Sequence, residues 1–155
     1  MPRENPRQHA LRRGRFSGRG FFYLVTTTTH QRQKLFRNPM AAGVVLNSLH
    51  WLDQNNRIDL MAAVVMPDHI HYVAGLEKAL LPSVMHSLKS FSANKINEVL
   101  HRRGQVWERQ YHDRGIRNDT ELSAAIQYCL NNPVKSGLVQ QLCEYAHWYC
   151  RYTVD

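Results

Sequence analysis

The sequence predicts an α+β fold: a ferredoxin-like, split β-α-β antiparallel sheet backed by helices. Three observations lead there. Two β-branched or apolar runs, Gly20–His30 and Ile58–Met66, flank one stretch of helical periodicity. The second run turns at once through Pro67-Asp68 into a return strand, which makes a central hairpin. A long amphipathic stretch then leads to short extended pieces and a last helix, giving the order β-α-β-β-α-β-α.

Each element has a local reason. FFYLVTTTTH is aromatic or β-branched nearly throughout, as strands are. Apart from the threonine run at 26–29 there is no low-complexity tract, and no internal repeat. Asn38-Pro39 supplies an N-cap and a first-turn proline for a helix carrying Val44, Val45, Leu49 and Leu52 and ending near Asn55-Asn56. IDLMAAVVM is apolar enough for a strand covered on both faces. From Leu80 to about Arg103, Val84, Leu88, Phe91, Ile96, Val99 and Leu100 fall on one helical face, and Gly104 is the expected terminator. Val106-Trp107 and Tyr111–Arg117 read as short strand pieces. Asn118-Asp119 begins a third helix, which Pro133 is expected to end.

At 155 residues and 43% hydrophobic residues the chain suits one globular domain, expected over 20–155. The formal charge of +8 favours polyanionic partners. Residues 1–19 carry six arginines against one acid, a net +5, and little that could be buried. This is expected to be a flexible basic arm that tracks phosphates, with Arg12, Arg13, Arg15 and Arg19 as DNA contacts; the plain alternative is a solvated tail. Cys129, Cys143 and Cys150 form no C-x-x-C pair, which points to reduced thiols. No apolar run approaches the ~20 residues of a membrane span. The expectation is a soluble, cytoplasmic protein with no membrane partner.

Two elements carry the chemistry. On a strand, His69 and His71 project from one face while Ile70 and Tyr72 project from the other. Two imidazoles side by side can hold a divalent ion and leave coordination positions open, although an H-x-H pair also arises by chance. On the third helix, Tyr128 and Asn132 share a stripe beside the apolar face of Leu122, Ala125, Ile126, Cys129 and Leu130. Asn132 offers an amide oxygen; spacing alone equally allows a half-buried aromatic and a C-cap. A phenol is a weak nucleophile at neutral pH, and an ion on the histidines would make a phosphodiester more electrophilic. A phosphotyrosine link keeps the phosphodiester energy, so rejoining needs no nucleotide, and the chain has no phosphate-binding glycine loop.

Met66-Pro-Asp-His-Ile-His-Tyr-Val73 resembles the metal motif of the HUH endonucleases. Trp107-Glu-Arg-Gln-Tyr-His-Asp-Arg-Gly-Ile-Arg117, followed by Ile126-Gln-Tyr-Cys-Leu-Asn-Asn-Pro-Val-Lys-Ser-Gly-Leu-Val139, resembles the REP-associated tyrosine transposases, relatives of the single-tyrosine insertion-sequence transposases. The resemblance spans roughly residues 20–140. It implies that His69 and His71 are metal ligands, that Tyr128 is the nucleophile, and that Asn132 completes the site where relatives carry glutamine. Asn131 is the alternative for that last role, and Tyr111 the rival nucleophile. It also implies Mg or Mn as cofactor, single-stranded hairpin DNA at REP palindromes as substrate, and a monomer or homodimer. Arg114, Arg117 and Lys135 flank the tyrosine and are expected to contact DNA. Lys89, Lys95, Arg102 and Arg103 read as a solvated face, and Trp107, Trp148 and Tyr149 as base-stacking or core aromatics. The competing reading is a non-catalytic single-stranded nucleic-acid-binding module of the same fold; it leaves His69, His71 and Tyr128 without a task.

Overall fold

In the computed structural model, residues 21–76 and 80–152 are described. The basic arm expected over 1–19, with Arg12, Arg13, Arg15 and Arg19, lies outside them. Strand β1 (Phe21–Thr28) is followed by helix α1 (Pro39–Gln54), strands β2 (Asp59–Met66) and β3 (His69–Leu76), helix α2 (Leu81–Val99), strand β4 (His112–Ile116), helix α3 (Asp119–Lys135) and strand β5 (Trp148–Cys150). The sheet order is β4-β1-β3-β2-β5, and every neighbouring pair is antiparallel. β1 and β2 therefore run parallel with β3 inserted between them, which is the split β-α-β expected.

Three layers result. One face of the sheet (Val25, Leu60, Ala63, Val65, Ile70, Tyr72) packs against Val45 and Leu49 of α1 and Val84, Met85 and Leu88 of α2. The other face (Phe22, Leu24, Met61, Val64, Val73, Ile116) packs against Leu122, Ala125, Ile126 and Cys129 of α3. Strand alternation sorts the residues between the two cores. One bulge interrupts it: pairing passes from Leu60↔Ala74 to Ala62↔Val73, so both Met61 and Ala62 serve the α3 side.

Helix starts agree with the sequence, as does the end of α1 at Gln54, capped by Asn55, but the ends of α2 and α3 do not. Asn38 Oδ1 accepts from the amides of Met40 (2.9 Å) and Ala41 (3.3 Å), and Asn118 Oδ1 from that of Glu121 (2.8 Å). Pro133, however, lies inside α3. A proline in a final turn removes one ladder donor, a smaller loss than in a helix middle. Termination comes later, through Gly137 at φ +79, with Gly137 N donating to Val134 O (3.0 Å) and Leu138 N to Pro133 O (3.0 Å). These two bonds make a Schellman closure. Helix α2 stops at Val99, short of the expected Arg103 and Gly104, because His101 turns left-handed at φ 51.

The core face of α2 also differs from the expectation. Phe91 is 63% exposed, and Ser92 occupies the buried position beside it. There Ser92 Oγ donates to Leu88 O (2.5 Å) and accepts from the Trp107 indole N–H (3.0 Å). Ser92→Ala would leave that buried indole donor unpaired and is expected to cost about 1–3 kcal/mol, measured by urea unfolding. Unchanged stability would mean the indole finds another acceptor. Lys89 and Arg102 are not a solvated face. Lys89 Nζ donates to the carbonyls of Glu108 (2.7 Å), Gln110 (3.2 Å) and Arg109 (3.3 Å), and Arg102 bonds Asn97 Oδ1 (2.6 Å) and Gln105 O (3.2 Å). Both clamp the loop that leads into β4.

Strand β5 has no signature in the sequence, since three residues are too few to show alternation. Arg151 ties it down, with Nη2 at 2.9 Å from Asp53 Oδ1 and Nη1 at 3.2 Å from Asp59 Oδ1.

Candidate active site beneath the third helix

Alternation along β3 turns Ile70 and Tyr72 into the α1/α2 core and leaves His69 and His71 on the α3 face. Their ring centroids are 4.8 Å apart. Helix α3 crosses directly above, anchored by Cys129 Sγ, which donates to His71 O at 3.4 Å. The neighbouring Tyr128 is thereby set beside the pair, its ring centroid 5.4 Å from that of His71. Tyr128 is 45% exposed, so the phenol is open to a ligand from solvent. The structure thus brings together His69, His71 and Tyr128, which are 57 or more residues apart from helix to strand (128 − 71 = 57).

Each imidazole is held by its Nδ1. His69 Nδ1 lies 2.7 Å from Asp68 Oδ1, and His71 Nδ1 lies 2.7 Å from Thr26 Oγ1. With Nδ1–H donating in both, each Nε2 carries the free lone pair that a metal needs. Asp68 is itself gripped by Arg32, whose Nε is 3.2 Å from Oδ2. Burial raises the Asp68 carboxyl, but the His69 hydrogen bond and the Arg32 charge outweigh it, so the group is held below the ordinary carboxylate range. Asp68 therefore remains an anionic acceptor for His69.

Sequence reasoning missed Thr26 and Arg32. Thr26 pairs with His71 across β1 and β3, and Thr28 with His69. The signal was the threonine run together with the 4-1-3-2 strand order of the expected fold, which seats that run alongside the histidines. Arg32 follows Gln31 in a turn where both residues are left-handed (φ 56 and 55). Such strain costs of order 1–3 kcal/mol per residue and gathers at functional sites. The turn is braced by Thr29 N donating to Asp68 O (2.9 Å) and Gln31 N to Glu108 Oε1 (2.7 Å).

The remaining candidates separate by position. Asn132 follows Tyr128 by one helical turn, and its Nδ2 donates to Tyr128 O at 2.8 Å. Its Oδ1 stays available. Tyr111 packs against the α1/α2 core with Lys89 over its ring, on the sheet face away from the histidines. Tyr72 is buried and donates to Met85 Sδ at 2.9 Å. Arg114 pairs with Leu24 and so shares the α3 face with the histidines. Arg117 instead binds Glu121 (Nη2–Oε1 3.0 Å) in the first turn of α3, ~10 Å along the helix axis from Tyr128. Lys135 stands two turns beyond Tyr128.

Among the described residues no group of three or more His, Cys, Asp or Glu comes together. The donor set is two imidazoles, with the Asn132 amide one helical turn along α3 from Tyr128, and a pair of imidazoles fits a divalent ion that keeps open positions for phosphate and water. His71 is 5% exposed, and this burial, with a smaller contribution from the His69 charge, pushes its imidazole down to about 4. It is neutral, as a ligand must be, at pH 7. In the unfolded chain it would titrate near its ordinary value of 6.5. Between these values the unfolded state takes up the proton that the folded state refuses. Stability of the metal-free protein should therefore fall as pH drops from about 6.5 towards 4, by up to about 3 kcal/mol. Asp68 adds its own loss only as the pH enters the carboxylate range. Thermal melts between pH 7 and 5 should show this slope flattened in His71→Asn; equal slopes would discount burial as the cause.

A histidine pair and one tyrosine thus share a common face beneath α3, and comparison with known proteins gives the family. Residues 20–132 match the family described as "Transposase IS200 like", and the chain belongs to it. A protein named as a REP-associated tyrosine transposase from Haemophilus influenzae is 25% identical over 96 residues, 53% of each chain. The chain thus spans about half the length of that curated relative. Among solved structures, a REP-associated tyrosine transposase bound to a REP hairpin superposes with a TM-score of 0.68 at 20% identity, covering 84% of this chain and 76% of that one. A transposase-class protein from Deinococcus radiodurans gives a TM-score of 0.54 at 24% identity, over 73% of this chain and 90% of its own. The resemblance read from the motifs is borne out, as is the ferredoxin-like fold. No helix among the described residues is long and apolar enough to cross a membrane.

Proposed function

We propose that this chain is a REP-associated tyrosine transposase in activity: a metal-dependent single-stranded DNA endonuclease and strand transferase acting at palindromic hairpins through a phosphotyrosine intermediate. The observation that carries the reading is the placing of Tyr128 over His71 on one open sheet face, 5.4 Å between ring centroids. His69 and His71 would hold a divalent ion, Mg or Mn, with Asn132 as third donor. When bound, such an ion neutralises charge on a non-bridging phosphate oxygen.

Tyr128 attacks phosphorus in line. A bond forms between its phenolic oxygen and phosphorus, and the bond from phosphorus to the leaving sugar oxygen breaks. The phenolic proton ends, by way of solvent, on that oxygen as a free DNA hydroxyl. Attack by a DNA hydroxyl on the phosphotyrosine reverses the step and joins strands. Asp68 and Thr26 hold the imidazoles in register, and Arg114 extends a basic surface on the same face. Both histidines and the tyrosine come from one chain, so one cleavage needs no second copy. That a structural relative carries a REP hairpin supports the substrate class.

Incubation with hairpin DNA bearing single-stranded flanks, with Mn or Mg, followed by a denaturing gel and mass spectrometry, tests this. An adduct mapping to Tyr128 is expected. Cleavage without adduct would move the attack to water, and binding without cleavage would favour the non-catalytic module.

A further inference from the structure

A second feature of α3 lies on the flank next to the nucleophile. Gln127, Asn131 and Lys135 look across to Gln141, Leu142 and Trp148, and between them lies a hollow of about 690 Å³. That volume is within the range of small-ligand sites. The lining is chemically selective. Gln127 and Asn131 are one helical turn apart, so their carboxamides stack along one wall, and neither has a hydrogen-bond partner among the described residues. The half-buried Trp148 gives an aromatic surface, and Lys135 brings a cation to the rim.

The position follows from the sheet register. His71 pairs with Val64, and Val64 with Trp148, so the indole lies in the same row as the histidine, two strands and ~10 Å away. Gln127 and Tyr128 are adjacent, about 100° apart around the helix, and Lys135 falls two turns beyond Tyr128 on nearly the same stripe, so hollow and nucleophile lie on neighbouring flanks of one helix, itself ~10 Å across. A strand with its phosphate at Tyr128 can pass over α3 and reach the hollow within a few nucleotides.

We propose that this hollow is a nucleobase site, taking one unpaired base of the DNA strand that flanks the cleaved phosphate. The proposal rests on the DNA-cleaving reading above. Stacking on Trp148 supplies affinity for any base. The amides of Gln127 and Asn131 offer a donor and an acceptor side by side, the pattern that reads a base edge. Lys135 takes the adjoining phosphate. The site would thus decide which base stands at one fixed distance from the cut.

Intrinsic tryptophan fluorescence gives the test. The full chain carrying Tyr128→Phe, to prevent cleavage, and Trp51→Phe, to remove the other exposed indole, leaves Trp148 as the responsive group, since Trp107 is buried. It would be titrated with hairpin DNA bearing single-stranded flanks, in Mg, and with a series carrying one abasic position at a time. Quenching is expected with intact DNA and lost at a single abasic position. Gln127→Ala/Asn131→Ala should raise Kd for flanked DNA about tenfold and leave Kd for the bare hairpin unchanged. Equal quenching by every abasic strand, or equal Kd in the variant, would overturn the proposal. The abasic series needs no wall variant, so it decides even if that variant folds poorly. Position-specific quenching without any adduct in the wild-type chain would retain the base site and defeat the reaction; an adduct with indifferent quenching would do the reverse.

Discussion

Tyr128→Phe is expected to abolish covalent adduct formation and to lower strand cleavage by three orders of magnitude or more, a loss of about 4 kcal/mol or more of transition-state stabilisation. The substitution deletes one oxygen from a side chain that is 45% exposed, so folding and hairpin binding should be untouched. A denaturing gel of end-labelled hairpin DNA, with a melting curve of each protein, measures both. The fold sets both rival phenols apart. Tyr72 is buried with its hydroxyl on Met85, and Tyr111 packs on the opposite face of the sheet. Full cleavage by Tyr128→Phe would therefore mean that water attacks, since neither rival can reach the histidines' face without breaking its strand pairing or packing.

His69→Ala should have the second-largest effect. Loss of one of two imidazole donors is expected to weaken Mn or Mg binding and metal-stimulated cleavage by more than about a hundredfold, since even outer-shell partners of metal ligands are worth 10- to 100-fold. His69 is the better choice than His71. It is partly exposed, whereas His71 is buried and bonded to Thr26, so His71→Ala would also open a cavity and orphan a hydroxyl. Calorimetric titration with Mn, beside the cleavage assay, separates the readings. Unchanged cleavage in His69→Ala with lost binding would show that the ion is structural. Unchanged Mn binding would remove the histidine pair as the metal site.

The parts legible in the sequence are those governed by short-range rules. Asn38 and Asn118 announce helix starts because a side-chain oxygen must satisfy free amides within three residues. The two faces of β3 are legible because a strand's period is two, so alternation alone separates Tyr72 from His69 and His71. The stripe holding Tyr128 and Asn132 follows from the helical period. The illegible parts depend on what lies opposite. Phe91 has the right period for the core, yet Ser92 is buried, because the Trp107 indole arriving from another segment needs an acceptor. Pro133 has the mark of a terminator, but the left-handed Gly137 and its two closing bonds set the true end. Lys89 reads as solvated, yet three carbonyls of the 108–110 loop surround it.

The candidate site divides the same way. Fold class, family motifs, paired imidazoles and the tyrosine stripe are all patterns along one chain, and the amino-acid order suffices for them. Other relations needed the folded molecule: Tyr128 lying over His71, Thr26 and Asp68 holding the two rings by Nδ1, Arg32 gripping Asp68, and Trp148 joining the neighbouring flank of α3. Strand order and helix packing make those relations across many residues. The order β4-β1-β3-β2-β5 brings together residues that no local period relates, and the chemistry resides in what that order puts side by side.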